Sequence, residues 1–325
     1  MVDFRYHLVS IVAVFLALAV GIVLGTTFIN GPLFDTLNNK VNSLTNDRKT
    51  LRSGNDDLNK RLADQAKFGK AVLPFAVGGR LANESVLLVS TADAPGDLRD
   101  SLARALVAAG AKVAGRVQLT KKFADPTQAD VLEQVARDAV NGGSTGDAGS
   151  PLQHAANQLA IAVATPTRNS PEAVGPNAET QRILSGFEAA GLIKVDGDVP
   201  VRRSIVIVVS GVPAAKDSAG RDDQVRAGNE VIGALARQAT AVVAVTPSGG
   251  AEAGGVLSSL RRDENLAPHV SSVDDADTPA GEVAVILAVV ERLRAAELVD
   301  ERRAAGHYGD GPGASKPLPD LADIS

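Results

Sequence analysis

Apolar and polar residues alternate along this chain with three different periods, one after another. From Leu8 to Asn30 no residue is charged, and Leu8–Ile29 is long enough for a helix across a bilayer core, which takes about 20 apolar residues. Signal-peptide cores run only about 7 to 15 residues, and no small-residue cleavage box follows the run, so the pattern predicts an uncleaved anchor over residues 1–30. Leu37, Leu44, Leu51 and Leu58 then recur every seven residues, with Phe34, Val41, Arg48, Asn55 and Leu62 at the companion position. That is the a/d spacing of a coiled coil, predicted over 33–68. Beyond Glu84 the period changes again, to short continuous apolar runs separated by helical stretches.

Those runs are Ser85–Ser90, Lys112–Leu119, Ser204–Ser210 and Ala241–Thr246, with a fifth strand expected near Val270–Val273. The helices between them are expected at Asp97–Ala109, Gln128–Val140 and Asp222–Gln238. A last helix should open at Pro279 with Thr278 as its cap and run to about Ala304. Strands that are apolar throughout are buried on both faces, so the prediction for 85–304 is an α/β domain, Rossmann-like and doubly wound, with a mostly parallel sheet. Residues 141–199 read as a helical insertion, with helices at Leu152–Ala164 and Ala178–Ala190. Gly69–Glu84, with Pro74, Gly78 and Gly79, loses the heptad and reads as the joint between stalk and domain. The Gly/Pro-rich tail, 305–325, reads as extended or disordered because it holds little apolar surface.

Two local patterns sharpen the reading of the first 68 residues. Ala13, Ala17, Gly21 and Gly25 stand four apart on one face of the anchor, and small residues so spaced let membrane helices approach closely. Leu at four successive d positions favours two parallel strands, while Arg48 and Asn55 at a positions fix register and partner number. The expected interface is therefore Leu37, Val41, Leu44, Arg48, Leu51, Asn55, Leu58 and Leu62 in a homodimer. A competing reading is one amphipathic helix packed on its own domain, and Gly54 inside the seam weakens the helix in either case. The flanking charges do not set an orientation. A long domain translocates largely regardless of charge, so a short amino-terminal tail inside and the bulk of the chain outside is the expectation.

Composition removes several functions. There is no cysteine, so no disulfide, thiolate nucleophile or cysteine metal site. A net charge of −5, no Trp and two Tyr argue against nucleic-acid binding. Gly142, Gly143, Ser144, Thr145 and Gly146 match G-x-S-x-G, but they follow a helix rather than a strand and read as a surface loop. The loops after the first and fourth strands, STADAPGD and PSGGAEAGG, lack the dinucleotide spacing, although Asp93, Ser210 and Ser248 stand where such sheets keep ligands. Asp274, Asp275 and Asp277 before the last helix read as capping and solvated charge. Copper would need Cys, Met or clustered imidazole, and the chain has one Met and four scattered histidines, His7, His154, His269 and His307. No cofactor, metal or catalytic residue is expected from these residues.

The block FRYHLVSI with the apolar run after it, the heptads, the α/β pattern and the closing GHYG with Gly311 and Gly313 together resemble the actinobacterial MctB/SteB family across essentially the whole chain. The resemblance implies a cell-envelope protein labelled for copper transport or copper homeostasis. Under the family's SteB description it implies instead a membrane-anchored division protein, partnered by a SteA-like protein and controlling a coiled-coil cell-wall hydrolase. Both readings are carried forward.

Overall fold

The computed structural model describes residues 4–29, 32–140, 148–164, 178–197, 199, 205–212, 218–297 and 305–320. The G-x-S-x-G pattern at 142–146 and the side chain of Phe34 lie outside the described residues. The chain divides into two units, Met1–Gln65 and Ala66–Ser325.

The first unit is helical. Helix α1, Phe4–Ile29, contains the 21-residue stretch Arg5–Gly25, whose most apolar 18 residues have a mean hydropathy of 2.9. At 1.5 Å per residue that is about 32 Å, enough to cross a hydrocarbon core of about 30 Å. It is the one helix among the described residues that is long and apolar enough to do so. Helix α2, Pro32–Val77, carries Leu37, Val41, Leu44, Leu51, Leu58 and Leu62, all exposed at 52–74%. Its polar residues support the helix locally: Asn59 Nδ2 donates to Asn55 Oδ1 at 2.8 Å, and Arg61 pairs with Asp57 at 2.9 Å.

The second unit opens with the last turns of α2. The break expected from Gly69 is displaced, because the helix runs to Val77 with Pro74 inside it. Leu73 and Val77 are buried in the core, and a Cβ at Gly69 would come within 2.7 Å of Pro279. Burial of that face outweighs the single backbone hydrogen bond that Pro74 removes. Gly79, at φ +75°, then ends the helix in the left-handed conformation that favours glycine.

Along the chain follow β1 (Ser85–Ser90), α3 (Gly96–Ala108), β2 (Lys112–Leu119), α4 (Lys121–Ala124), α5 (Ala129–Ala139), α6 (Pro151–Val163) and α7 (Ala178–Ala189). Then come β3 (Ile193–Gly197), β4 (Ile205–Val209), α8 (Ser218–Gln238), β5 (Ala241–Val245), α9 (Val256–Leu260), β6 (Ser271–Val273), α10 (Pro279–Glu297) and β7 (His307–Tyr308). The seven strands form one sheet in the order β3-β2-β1-β4-β5-β6-β7, parallel except where β3 pairs antiparallel with β2. Successive strand residues point to opposite faces. Leu87, Val89, Val206 and Val208 join a core with α5 to α9, whereas Val86, Leu88, Ile205 and Ile207 join one with α3, α10 and the end of α2. In the first core Phe123 and Phe187, both fully buried, stack with ring centroids 6.5 Å apart.

Residues 141–199 correct one expectation. They hold α6 and α7 as predicted but return as strand β3, pairing Ile193 with Leu119 and Gly197 with Gly115. The main-chain N–H of Val195 is taken by Glu188 Oε1 at 2.9 Å, a side-chain partner on an edge strand. Thr278 caps α10 as read, its Oγ1 accepting from Gly281 N at 3.0 Å, and Ser150 and Gln153 form a capping box at α6.

Candidate functional site

In a mostly parallel sheet with helices on both faces, the carboxyl ends of the strands are where ligands are kept. Here one small polar residue follows five of the seven strands: Thr120 after β2, Thr91 after β1, Ser210 after β4, Thr246 after β5 and Asp274 after β6. Their main-chain N–H groups carry the ladder one step further, Thr91 to the Val209 carbonyl at 3.0 Å, Ser210 to Val245 at 2.9 Å and Thr246 to Val273 at 3.0 Å. Chain order reverses between β1 and β4, which puts Asp93 and Ser210 on the two sides of the crossing point.

The crossing point is closed. Thr91 Oγ1 donates to Asp93 Oδ1 at 2.5 Å, and a Cβ on Gly211 would overlap the Asp93 carbonyl. Backbone therefore meets backbone where a ligand would enter. Among the described residues the cavity beside it, lined by Thr91, Asp93, Thr120, Lys121, Phe123 and Gln224, is about 20 Å³. That is room for roughly one water, against about 300 to 1,000 Å³ for a small-molecule site. Ser248 is exposed at the surface, where its N and Oγ both donate to Asp277 Oδ1, at 2.8 and 2.7 Å. Gly250 lets this loop fold over Thr246, since a Cβ there would overlap the threonine side chain.

A larger groove, about 600 Å³ and open, runs along α8 and is bordered by Gln153, Asp222, Arg226, Asn229, Arg237 and Asp263. No sequence pattern announces it. Its polar residues sit at helical spacing on α8, which looks like an ordinary solvated face until α6 and the loop after α9 wall it in.

The tail takes the extended one of its two expected forms: 305–320 makes a strap along the outer edge of the sheet, with β7 pairing Ser272 to His307 and Val273 to Tyr308. Tyr308 is buried and donates to Glu291 Oε2 at 2.5 Å. Arg261 ties three pieces together: Nε donates to Ser272 Oγ at 2.9 Å, Nη1 to Asp274 Oδ2 at 2.7 Å and to the Pro312 carbonyl at 2.9 Å, and Nη2 to the Tyr308 carbonyl at 2.9 Å. Asp274 Oδ1 accepts the N–H groups of Asp310 and Gly311 at 2.8 and 2.9 Å. Gly309 and Gly311 allow this, because a Cβ at Gly309 would overlap the Asp274 carboxylate and one at Gly311 would press on it. Asp274 is thus a buried ion-pair partner and not a solvated charge, with side chains of 3% and 4% exposure for Arg261 and Asp274.

The histidines are scattered through this architecture. His154 Nδ1 lies 2.7 Å from Glu133 Oε2, and that hydrogen bond holds the Glu133 carboxyl below its ordinary range. His307 Nδ1 lies 2.9 Å from Ser272 Oγ, and burial with the nearby Arg261 cation holds its pKa below the usual histidine value. Among the described residues no group of three or more His, Asp or Glu is placed to hold a metal ion. Ala13, Ala17, Gly21 and Gly25 all lie on α1 and are exposed, and a Cβ at either glycine would meet nothing within 4 Å.

The family model described as "Copper transport outer membrane protein, MctB" matches residues 1–319. The chain belongs to the MctB family. Among MctB relatives, the protein named "Copper transporter MctB" from Mycobacterium tuberculosis H37Rv is 28% identical over 325 residues, covering 97% of this chain and 98% of its own. The protein of the same name from Mycobacterium bovis gives the same figures, and that from Mycobacterium leprae is 26% identical over 327 residues with the same coverage. The MctB match thus takes in the apolar helix, α2, the sheet and the strap through Pro319.

Proposed function

We propose that this chain is a single-pass cell-membrane protein of the envelope, with its bulk outside the cytoplasm, that works through protein contacts and not through catalysis. The observation that carries this reading is the row Leu37, Val41, Leu44, Leu51, Leu58 and Leu62, heptad-spaced and exposed on α2. Fully burying one such side chain stabilises by about 1.5 to 3 kcal/mol, so six of them favour association strongly. A parallel coiled-coil homodimer satisfies the row, with Arg48 and Asn55 setting register and Ala13, Ala17, Gly21 and Gly25 letting the membrane helices pair below it. The closed crossing point and its cavity of about 20 Å³ agree with a sheet domain, Rossmann-like in pattern, that serves as scaffold.

Within the family, this architecture suits the SteB-type division role, in which the stalk meets a SteA-like partner and a coiled-coil hydrolase. Copper transport is the second reading, and the name borne by the mycobacterial relatives favours it. The two separate in one experiment on the full chain in detergent micelles. Equilibration with Cu(I) and with Cu(II) should leave no metal above background, while crosslinks from cysteines placed at Leu44 and Leu51 should join two chains. Copper retained at fixed stoichiometry would favour direct transport, and absence of crosslinks would sink the coiled-coil reading.

A further inference from the structure

The strap is seated beside four carboxyl groups and one guanidinium. Asp274 holds it, through Arg261 on one oxygen and the Asp310 and Gly311 amides on the other. Asp275 comes next, in left-handed backbone at φ 59°, and its Oδ1 is buried without a hydrogen-bond partner. The charged groups facing it come from every side: Asp274 from the end of β6, Asp277 from the turn before α10, Asp310 from the strap, and one cation, Arg261, from the end of α9. A carboxylate oxygen shut away from donors beside three other carboxylates is costly when ionised and tolerable as a neutral acid.

We propose that the C-terminal strap is a pH-sensitive clasp, seated along β6 while Asp275 is protonated and loosened as Asp275 ionises against Asp310. Released, the strap uncovers the outer edge of β6 and the carboxyl end of β5, where Gly311 now packs against Ala251. Burial first, and the neighbouring carboxylates second, push Asp275 up to about 7. Its value in the seated state is raised above the ordinary carboxylate range, so seating is favoured in acid and weakened as pH rises through about 7. His307 pulls the other way: its value is lowered in the seated state, so its protonation unseats the strap as pH falls.

The test is amide hydrogen exchange at Asp310 and Gly311 in the full chain in detergent micelles, for the wild type and Asp275→Asn. Asn tolerates left-handed backbone and keeps the neutral shape, and the ratio of the two proteins' protection cancels both His307 and intrinsic exchange. With a value of about 7, that ratio should fall about tenfold between pH 6 and pH 8.5. A ratio independent of pH overturns the proposal. Carbon-13 titration of the Asp275 carboxyl in the wild type gives a second reading that does not depend on the variant folding. A midpoint near 7 supports the clasp, and one near the ordinary value of about 3.9 overturns it.

Discussion

Leu51 and Leu87 are the same side chain in opposite situations. Leu51, on α2, is 74% exposed, whereas Leu87, in β1, is fully buried between the sheet and the helices of one face. The contrast extends to their surroundings. In the sheet unit most of the apolar residues find partners within the chain, although Phe68, Phe75 and Val107 stay exposed; the edge strand β3 has Glu188 on its Val195 amide, and the strap covers the opposite edge. In the amino-terminal unit large aliphatic residues face outward over both helices. A surface of that kind is where association is expected, and a closed domain is where it is not.

The largest expected effect breaks this comparison on the helical side. Replacing Leu44 and Leu51 together by Asn puts two polar groups into the seam and removes two apolar anchors, each worth about 2 to 5 kcal/mol when buried. Sedimentation of the full chain should shift from dimer to monomer, with the dissociation constant raised at least about a thousandfold, while thermal melting of the sheet domain stays within about 1 kcal/mol of wild type. A wild-type chain that sediments as a monomer would remove the premise.

On the sheet side, Phe187→Ala opens a cavity opposite Phe123 and should cost about 3 to 5 kcal/mol of unfolding free energy, read from chemical denaturation. Dimer affinity measured below the unfolding transition should not change. Coupled losses of both would mean that the helical stripe depends on the sheet domain's packing, and the two regions would no longer be separate in their energetics.

The strap gives the next effect. Arg261→Ala leaves Asp274 buried without its cation, which should cost about 3 to 5 kcal/mol and abolish exchange protection at Asp310 and Gly311. Replacing both partners by apolar residues of similar volume, Arg261→Met with Asp274→Leu, should recover most of the unfolding free energy. It should not recover strap protection, because Asp274 also receives the two strap amides. Full recovery of both would show that neither the ion pair nor the carboxylate's amide bonds are needed to seat the strap.

What could be read from sequence follows the same division. β1, β2, β4 and β5 announce themselves as apolar runs because both of their faces are buried, so local composition carries the signal. β3, with the sequence IKVDG, has one buried end and exposed polar residues, and its pairing with β2 is set by contacts more than seventy positions away in the chain. The strap is harder still. Its residues bury almost nothing apolar beyond Tyr308, and what holds it is clearance at Gly309 and Gly311 around an ion pair formed by Arg261 and Asp274. No periodicity encodes that. Similarly, Asp93 and Ser210 could be placed at the crossing point from the strand pattern alone, but its closure depends on Gly211 meeting the Asp93 carbonyl, a matter of backbone approach.

The smallest effect sharpens the comparison where α2 joins the sheet domain. Glu282, at the start of α10, is buried, and burial raises its pKa above the ordinary range despite the hydrogen bond with Ser101 and the nearby Lys70 and Arg104. A carboxyl whose folded value is raised contributes stability that is complete below its unfolded value, about 4.3, and lost as pH rises through its folded value. Wild-type unfolding free energy should therefore carry a shallow decline with rising pH just above about 4.3, and Glu282→Gln should remove that component while leaving the rest of the profile intact. Lys70 lies on the same turns of α2 as Leu73 and Gly69, so exchange protection of those turns should follow the same pH course in the wild type and flatten in the variant. A decline that survives the substitution would assign it to other carboxyls and leave the docking of α2 to Leu73, Val77 and the Gly69 contact alone.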